Sequence, residues 1–153
     1  MSVVVQSEGF DPLDQQQMLL ARSRGAAVAT FTGYVRDLCD QGTVMALELE
    51  HYPGMTERAL GDIGSLAANR FGLQAWRIVH RHGLLKDGEP IVWVGTVANH
   101  RGHAFAGCEF IMDHLKTQAP FWKKEHLTDG QSLWVAARDA DSRQQQSWQD
   151  TQG

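Results

Sequence analysis

A proline at position 120 interrupts a stretch that otherwise favours helix, and this break constrains the chain more than any other feature. Proline lacks a backbone N–H and disfavours helical geometry in the residue before it, so a helix that arrives at Lys116 is predicted to end there. The chain is then expected to change direction, with Phe121 and Trp122 anchoring the second segment. Lys116 and Lys123 therefore either converge on a pocket or remain solvated surface charges.

Convergence of the two side chains on a pocket would give the lysines a chemical use. Two ammonium groups that are held close together in a partly dry pocket each raise the cost of the other's charge. This effect lowers the pKa of a lysine towards the range of a base or a nucleophile. The sequence leaves open which lysine would act as the base and which as an electrostatic clamp.

Length and composition indicate one compact domain. The chain has 153 residues, of which 42% are hydrophobic and 21% charged, enough for a core of its own. This domain is predicted to cover 1–140, while the polar, glutamine-rich tail 141–153 is predicted to fray. The net charge of -4 argues against a nucleic-acid-binding surface, so any anion site must be local.

The cysteines and the apolar runs favour a soluble, cytoplasmic protein. Cys39 and Cys108 lie far apart and form neither a CxxC motif nor a metal-ligand spacing, which predicts a reducing compartment without a disulfide framework. No run approaches the roughly 20 apolar residues of a membrane span. The apolar start of the chain is also too short for a signal peptide.

Hydrophobic periodicity predicts the element order βαββαββαβ. A helix is expected to start at Asp11 and stop at Gly25, a second to be capped by Thr56 and closed by Gly72, and a third to follow Gly102. The residues 38–43 are predicted to form a mobile loop, and the main strands are predicted at 26–35, 44–52, 75–82, 91–98 and 133–137. Hairpins mixed with helical crossovers indicate an α+β fold with antiparallel pairing.

Two groups of cationic residues are candidates for binding an anion. Arg36 follows a predicted strand, where a guanidinium can hold a phosphate through paired donors or can be an ordinary surface charge. His100 and Arg101 lie between a buried strand and a helix start, where free backbone N–H groups and the helix dipole favour an anion. His80 and His82 have a metal-like spacing, but no third ligand is evident and a zinc site is not predicted.

With these residues in view, the sequence resembles the large, catalytic subunit of molybdopterin synthase. The resemblance extends from Ala27 to Arg138, and its blocks follow the family's order and spacing: 31–36, 49–55, 100–105 and 110–123. It implies an α/β-hammerhead fold with a small antiparallel β subdomain. It also implies a homodimer that carries one small, ubiquitin-like subunit at each end, making a heterotetramer.

The resemblance implies a sulfurtransferase of molybdenum cofactor biosynthesis. Cyclic pyranopterin monophosphate would receive two sulfurs and become the dithiolene of molybdopterin. The donor would be a thiocarboxylate on the Gly-Gly C-terminus of the small subunit, and no cofactor or metal is implied. The absence of an activated cysteine motif agrees with this scheme, because the sulfur must then arrive on a partner.

The resemblance also assigns residues. Lys116 and Lys123 match the family's two catalytic lysines, whereas Arg36, His100 and Arg101 match its substrate-binding group. Four further residues are expected to line the site because they flank these positions: Tyr34, Val35, Lys124 and Glu125. Arg138 matches an arginine near the end of the family's sequence, which would serve either its own site or that of the neighbouring subunit.

Two other classes of function remain open from the sequence. A ligand carrier or regulatory subunit could hold a phosphorylated metabolite through Arg36 and His100-Arg101 without turning it over. A purely structural partner of a ubiquitin-like protein would tolerate replacement of these cations. Recovery of unchanged ligand in the presence of the thiocarboxylated partner would indicate the first of these classes.

Overall fold

The computed structural model describes residues 1–36, 38–39, 42–127, 130–135 and 146–149, and within these ranges helices and strands are mixed. The α+β class is confirmed. The elements in chain order are β1 (Ser2–Gln6), α1 (Pro12–Leu20), β2 (Ala27–Tyr34), β3 (Leu38–Cys39), β4 (Gly42–His51), α2 (Met55–Phe71), β5 (Ala75–Arg81), β6 (Gly83–Leu85), β7 (Pro90–Ala98), α3 (Arg101–Gln118), β8 (Phe121–Leu127) and β9 (Ser132–Val135).

The strands form two sheets. The first has the order β1-β5-β7-β2, in which β1 and β5 are parallel and the other pairs are antiparallel. The second has the order β3-β4-β8-β9, with β6 also paired to β4, and all of its pairs are antiparallel. The predicted antiparallel pairing is therefore confirmed except between β1 and β5, whose parallel pairing needs a long connection that here includes α1 and α2.

The helices cover both faces of the first sheet. Alternation along β5 points Trp76 and Ile78 into the main core, which α2 and α3 complete, and points Ala75 and Val79 into a smaller cluster with Leu19 of α1. A third cluster joins the two sheets and contains Val35, Leu49 and Leu85. No helix within the described ranges has the length and apolar character needed to cross a bilayer.

The predicted end of α1 and the predicted cap of α2 are wrong. Helix α1 ends at Leu20 and does not continue to Gly25. Gly54, at a φ of 84°, is the N-cap of α2, and its N–H donates to Glu57 Oε2 at 2.6 Å. The Thr56 hydroxyl donates instead to the carbonyl oxygen of Tyr52 at 2.8 Å.

Two segments predicted to lack regular structure are ordered where the structure describes them. The predicted mobile loop 38–43 contains β3 and the start of β4, which pair antiparallel. In the tail predicted to fray, 146–149 form a helical turn, and the ring of Trp148 packs on Phe71 and Phe110. The prediction for the tail failed because the partners of Trp148 lie far away in the chain, whereas β3 and β4 pair locally. The closure of α2 by Gly72, in the left-handed conformation at a φ of 64°, is confirmed.

The contact between α2 and the first sheet gives a stability prediction. A Cβ atom at Gly64 would lie 2.4 Å from ring atoms of Trp76, so Gly64→Ala forces the helix away from the sheet. We expect this overpacking to lower the free energy of unfolding by about 1–3 kcal/mol, measured by urea denaturation.

Gly61 provides the matched control for this substitution. It lies in the same helix, and nothing stands within 4 Å of a Cβ atom added there. Since alanine favours helix over glycine, Gly61→Ala is expected to raise the free energy of unfolding by up to about 1 kcal/mol. Equal effects of the two substitutions would contradict a close contact at Gly64.

Candidate functional site

A cavity of about 370 Å³ opens between β2 and α3. Strand β2 is an edge of the first sheet, so the helix packed beside it leaves a recess along that edge. Phe31 and Phe105 form exposed apolar walls, at 41% and 66% exposure. The residues lining the cavity are Ala29, Thr30, Phe31, Phe105, Cys108, Glu109, Met112, Asp113 and Lys116.

Helical periodicity explains how α3 serves both the core and the cavity. Ala104, Ile111 and Leu115 lie on the buried stripe of the helix, as the sequence predicts. The sequence pattern also predicts that Phe105 and Met112 widen this stripe. Met112 does so, since it is buried in the main core and also lines the cavity, whereas Phe105 lines the cavity and is exposed. The cavity wall therefore overlaps the edge of the buried stripe and extends beyond it to Phe105.

Lys116 reaches the cavity from the last turn of α3. The helix continues to Gln118, two residues beyond the predicted end, because a proline at 120 removes no N–H that these residues need. Ala119 then adopts an extended conformation, with φ -72° and ψ 133°, as predicted for a residue before proline. The change of direction is therefore confirmed, but it follows Gln118, and the predicted helix end at Lys116 is two residues too early.

Lys123 lies on β8, where it pairs with Leu49 of β4. Alternation along the strand puts Phe121, Lys123 and Glu125 on one face of the second sheet. Lys124 lies on the opposite face, and its Nζ is 5.4 Å from the centre of the Trp134 ring. Lys124 is consequently separated from Lys123 by the sheet itself.

Three histidines gather beside Lys123. The ring of His80 stacks on Phe121 at 3.8 Å, and the rings of His51 and His82 are 4.4 Å apart. Burial lowers the pKa of His80 to about 4, although a hydrogen bond to the backbone of Arg81 acts in the opposite sense, and the charge of Lys123 lowers it further. Burial also lowers the pKa of His82. A buried, neutral His80 therefore lies next to this lysine at neutral pH.

The third imidazole near His80 and His82, which the sequence did not reveal, belongs to His51. His51 reaches them from β4, and its Nδ1 is 3.1 Å from Thr56 Oγ1. Within the part of the chain that the structure describes, however, no three His, Cys, Asp or Glu side chains are grouped so that they could hold a metal ion.

The residues at the end of β2 have different environments. Tyr34 and Arg36 are exposed, whereas Val35 is 4% exposed and packs with Leu49 and Leu85. The N–H of Val35 donates to the carbonyl oxygen of Glu89 at 2.9 Å. The side chain of Val35 thus belongs to the core, and this residue can serve a site only by fixing the backbone from which Arg36 extends.

His100 and Arg101 lie at the other end of α3. His100 is the N-cap in an extended conformation, and Arg101 is the first residue of the helix, which therefore begins two residues earlier than the predicted start after Gly102. At a rise of 1.5 Å per residue, the Cα atoms of Arg101 and Lys116 are about 22 Å apart along the axis. One chain therefore does not bring these two cations into one pocket. Arg138 lies outside the described residues.

The model of the family described as MoaE protein matches residues 5–118. The chain belongs to this family.

Similar proteins cover nearly the whole chain. Proteins named molybdopterin synthase catalytic subunit from Vibrio cholerae and Pseudomonas aeruginosa are each 48% identical to it, over 96% and 98% of this chain and 97% and 100% of their own lengths. The structure of a molybdopterin biosynthesis MoaE protein from Burkholderia ambifaria superposes with a TM-score of 0.82 at 49% identity, covering 96% of this chain and 97% of that one.

A more distant structure shares the fold alone. It is described as a protein–protein complex of subunits 1 and 2 of the molybdopterin-converting factor from Helicobacter pylori. It is 18% identical to this chain, with a TM-score of 0.72, and the match covers 89% of this chain and 91% of that chain.

In this MoaE family chain, sequence reasoning missed most of the cavity wall. Phe31 and Asp113 lie within blocks of the resemblance but were given no role, and Glu109 lies outside these blocks. The spacing of Phe105, Met112 and Lys116 on one side of the helix could have indicated a shared wall. Cys108 is the cysteine at this wall. Burial, with a smaller contribution from Glu109, raises the pKa of its thiol to about 12, so it remains protonated.

The buried His80 predicts how stability depends on pH. Its ordinary pKa is 6.5, and in the folded chain it is about 4, so between these values the unfolded chain binds more protons. The free energy of unfolding should therefore fall as the pH drops through this window. His80→Phe, which keeps a ring to stack on Phe121, should show a shallower fall when urea midpoints at about pH 7 and about pH 4.5 are compared.

The exposed His103 of α3 is the control for this experiment. His103→Gln should lose as much stability over the window as the unchanged protein. If His80→Phe also loses that full amount, the buried imidazole is not the group responsible.

Proposed function

We propose that this chain is the catalytic subunit of a molybdopterin synthase. It transfers sulfur from the thiocarboxylated C-terminus of a small ubiquitin-like subunit to cyclic pyranopterin monophosphate, which becomes the dithiolene of molybdopterin. The observation that carries the proposal is a cavity in which a helix-terminal lysine, Lys116, stands between apolar walls in a chain of the MoaE family. The relatives named above support the activity.

The state of Cys108 supports an external source of sulfur. A cysteine can carry sulfur only through its thiolate, and a buried thiol with a pKa of about 12 supplies almost none at neutral pH. Cys108 is therefore not suited to carry the sulfur, which agrees with delivery of the sulfur on another molecule. A thiocarboxylate at the end of a flexible tail meets this need, because it arrives already ionised.

The lysines supply the chemistry that this transfer demands. Opening a cyclic phosphate and adding sulfur at adjacent carbons requires stabilisation of negative charge and movement of protons. Lys116 at the cavity and Lys123 beside the neutral His80 are suited to these tasks as clamp and base, in either order. Arg36 is assigned to the phosphate, which a guanidinium can hold through paired donors.

The remaining assigned residues are part of the same proposal. Tyr34 is exposed next to Arg36, and Glu125 shares the strand face of Lys123. Lys124 faces away, so its contribution would have to come through the small subunit. The division into a domain at 1–140 and a tail at 141–153 stays a prediction, as does a role for Arg138.

We further propose that the chain works as a homodimer. Arg101 and Lys116 of one chain are about 22 Å apart along α3, so a site that uses both must take them from two copies. A two-fold axis that sets the start of one α3 beside the end of the other would create two equivalent sites.

The small subunit completes the assembly. The Helicobacter pylori neighbour is described as a complex of two subunits, which supports a small-subunit partner here; together with the proposed homodimer this gives a heterotetramer. We also assign the arrangement to the α/β-hammerhead, with the antiparallel second sheet as its small β subdomain, and the protein to the cytoplasm.

The first test replaces the two lysines. We expect Lys116→Ala and Lys123→Ala each to lower the rate of dithiolene formation by roughly 10²–10⁴-fold, because each removes an acid–base or clamping group. The measurement is single-turnover formation of the dithiolene with thiocarboxylated small subunit. Lys86→Ala, at an exposed turn, is the control and should keep the full rate. A lysine whose loss leaves the rate unchanged has no catalytic role.

The second test addresses the shared site by subunit complementation. Lys116→Ala and Arg101→Ala chains should each be nearly inactive as homodimers. When they are unfolded and refolded together, half of the dimers are mixed, and each mixed dimer has one intact site, so about a quarter of the full activity should return. If the mixture stays inactive although mixed dimers are present by mass spectrometry, the two residues do not act across the interface.

A further inference from the structure

The helical turn 146–149, called the C-terminal segment below, packs on the main core through Trp148. Its ring lies 5.8 Å from Phe71 and 5.5 Å from Phe110, centre to centre, with edge-to-face geometry in both pairs. Arg70 lies among the three rings, between 5.4 and 5.5 Å from each centre, and its Nη1 donates to the carbonyl oxygen of Trp148 at 3.1 Å. Both the side chain and the backbone of Trp148 are therefore held.

The same tryptophan touches the wall of the cavity. Its Nε1–H donates to Asp113 Oδ2 at 2.5 Å, and Asp113 lines the cavity together with Lys116. The Thr117 hydroxyl lies 3.3 Å from the carbonyl oxygen of Asp113, one turn further along α3. The indole of the C-terminal segment thus donates a hydrogen bond to Asp113, a carboxylate of the proposed active site.

The position of the Asp113 carboxylate matters if the cavity is to bind an anion. Asp113 and Lys116 are three residues apart on a helix, a spacing at which oppositely charged side chains interact. A carboxylate that swings towards Lys116 would compete with an anionic substrate for the ammonium group and would repel that substrate directly. A hydrogen bond from the indole to the charged oxygen opposes both effects.

We propose that Trp148 is a positioning residue of the active cavity, whose indole N–H holds the Asp113 carboxylate against the C-terminal segment and so opposes competition of this carboxylate with the anionic substrate at Lys116. The inference rests on the proposed function. It adds a role for a residue outside the cavity and outside the segment matched by the family model, 5–118. It also assigns the C-terminal segment a role beyond packing.

Trp148→Phe separates the hydrogen bond from the packing, because phenylalanine retains a ring for Phe71, Phe110 and Arg70 but has no N–H. A hydrogen bond to a charged group contributes enough that substrate affinity should fall by roughly tenfold. The Kd of cyclic pyranopterin monophosphate is measured by calorimetry on the complete complex with the small subunit. The single-turnover rate at saturating substrate should change by less than about threefold, since Trp148 does not reach the reacting atoms.

A second substitution distinguishes positioning from general loss of structure. Asp113→Asn in the Trp148→Phe background removes the charge that the missing N–H has released, so the Kd should return to within about twofold of the original. Trp76→Phe is the matched control. It removes an indole N–H that has no hydrogen-bond partner among the described residues, from the same core, so it should lower Tm without changing the Kd.

The outcomes are separable. If Trp148→Phe leaves the Kd unchanged, or if Asp113→Asn does not restore it, the positioning role is wrong, whereas the proposed function stands as long as the unchanged complex forms dithiolene. If that complex binds the substrate but forms no dithiolene, the proposed function fails and the shift in Kd still decides the role of Trp148. If it binds no substrate at all, both proposals fail.

Discussion

The packing of α3 on the first sheet is the interaction on which the rest of this structure depends. The buried hydroxyl of Thr96 donates to the carbonyl oxygen of Ala104 at 2.7 Å, which fixes the first turn of the helix against β7. Ile111 and Leu115 then fill the core further along. Because an α-helix has a fixed period, the neighbouring stripe is carried automatically along the edge of β2, where it forms one wall of the cavity. Core and site are two consequences of one docking geometry.

The turn after α3 places the two lysines on different elements, Lys116 on the helix beside the first sheet and Lys123 in the second sheet. A continuous helix would have kept Lys123 on the same element as Lys116, whereas the extended Ala119 sends the chain into β8 and onto the edge of β4. Lys123 therefore lies in a different environment, next to an imidazole that burial keeps neutral. The two amines are placed by independent contacts, so their surroundings can differ although their residue type is the same.

The features that the sequence predicts well are those that local physics decides. Glycine at 72 ends α2 because it reaches the left-handed conformation at little cost, and proline at 120 forces the extended residue before it. Strand β8 was not predicted, since its run of charged residues has low strand propensity and pairs only because β4 offers it an edge. The docking of Trp148 was missed for the same reason, as its partners lie in α2 and α3, far away in the chain. The separation of Arg101 from Lys116 also required the intact helix to be seen.

The separation of Arg101 from Lys116 matters because of the charge of the protein. The chain has a net charge of -4, yet the proposed reaction brings together a phosphate and a thiocarboxylate, both of them anions. Within the described residues that line the cavity, Lys116 is accompanied by Glu109 and Asp113, so the wall by itself is not strongly cationic. An acidic protein can then create a positive site only by collecting cations from separate elements or separate copies, and by engaging the carboxylates that remain. A second α3 start that brings His100 and Arg101 would do the first, and the indole of Trp148 on Asp113 does the second.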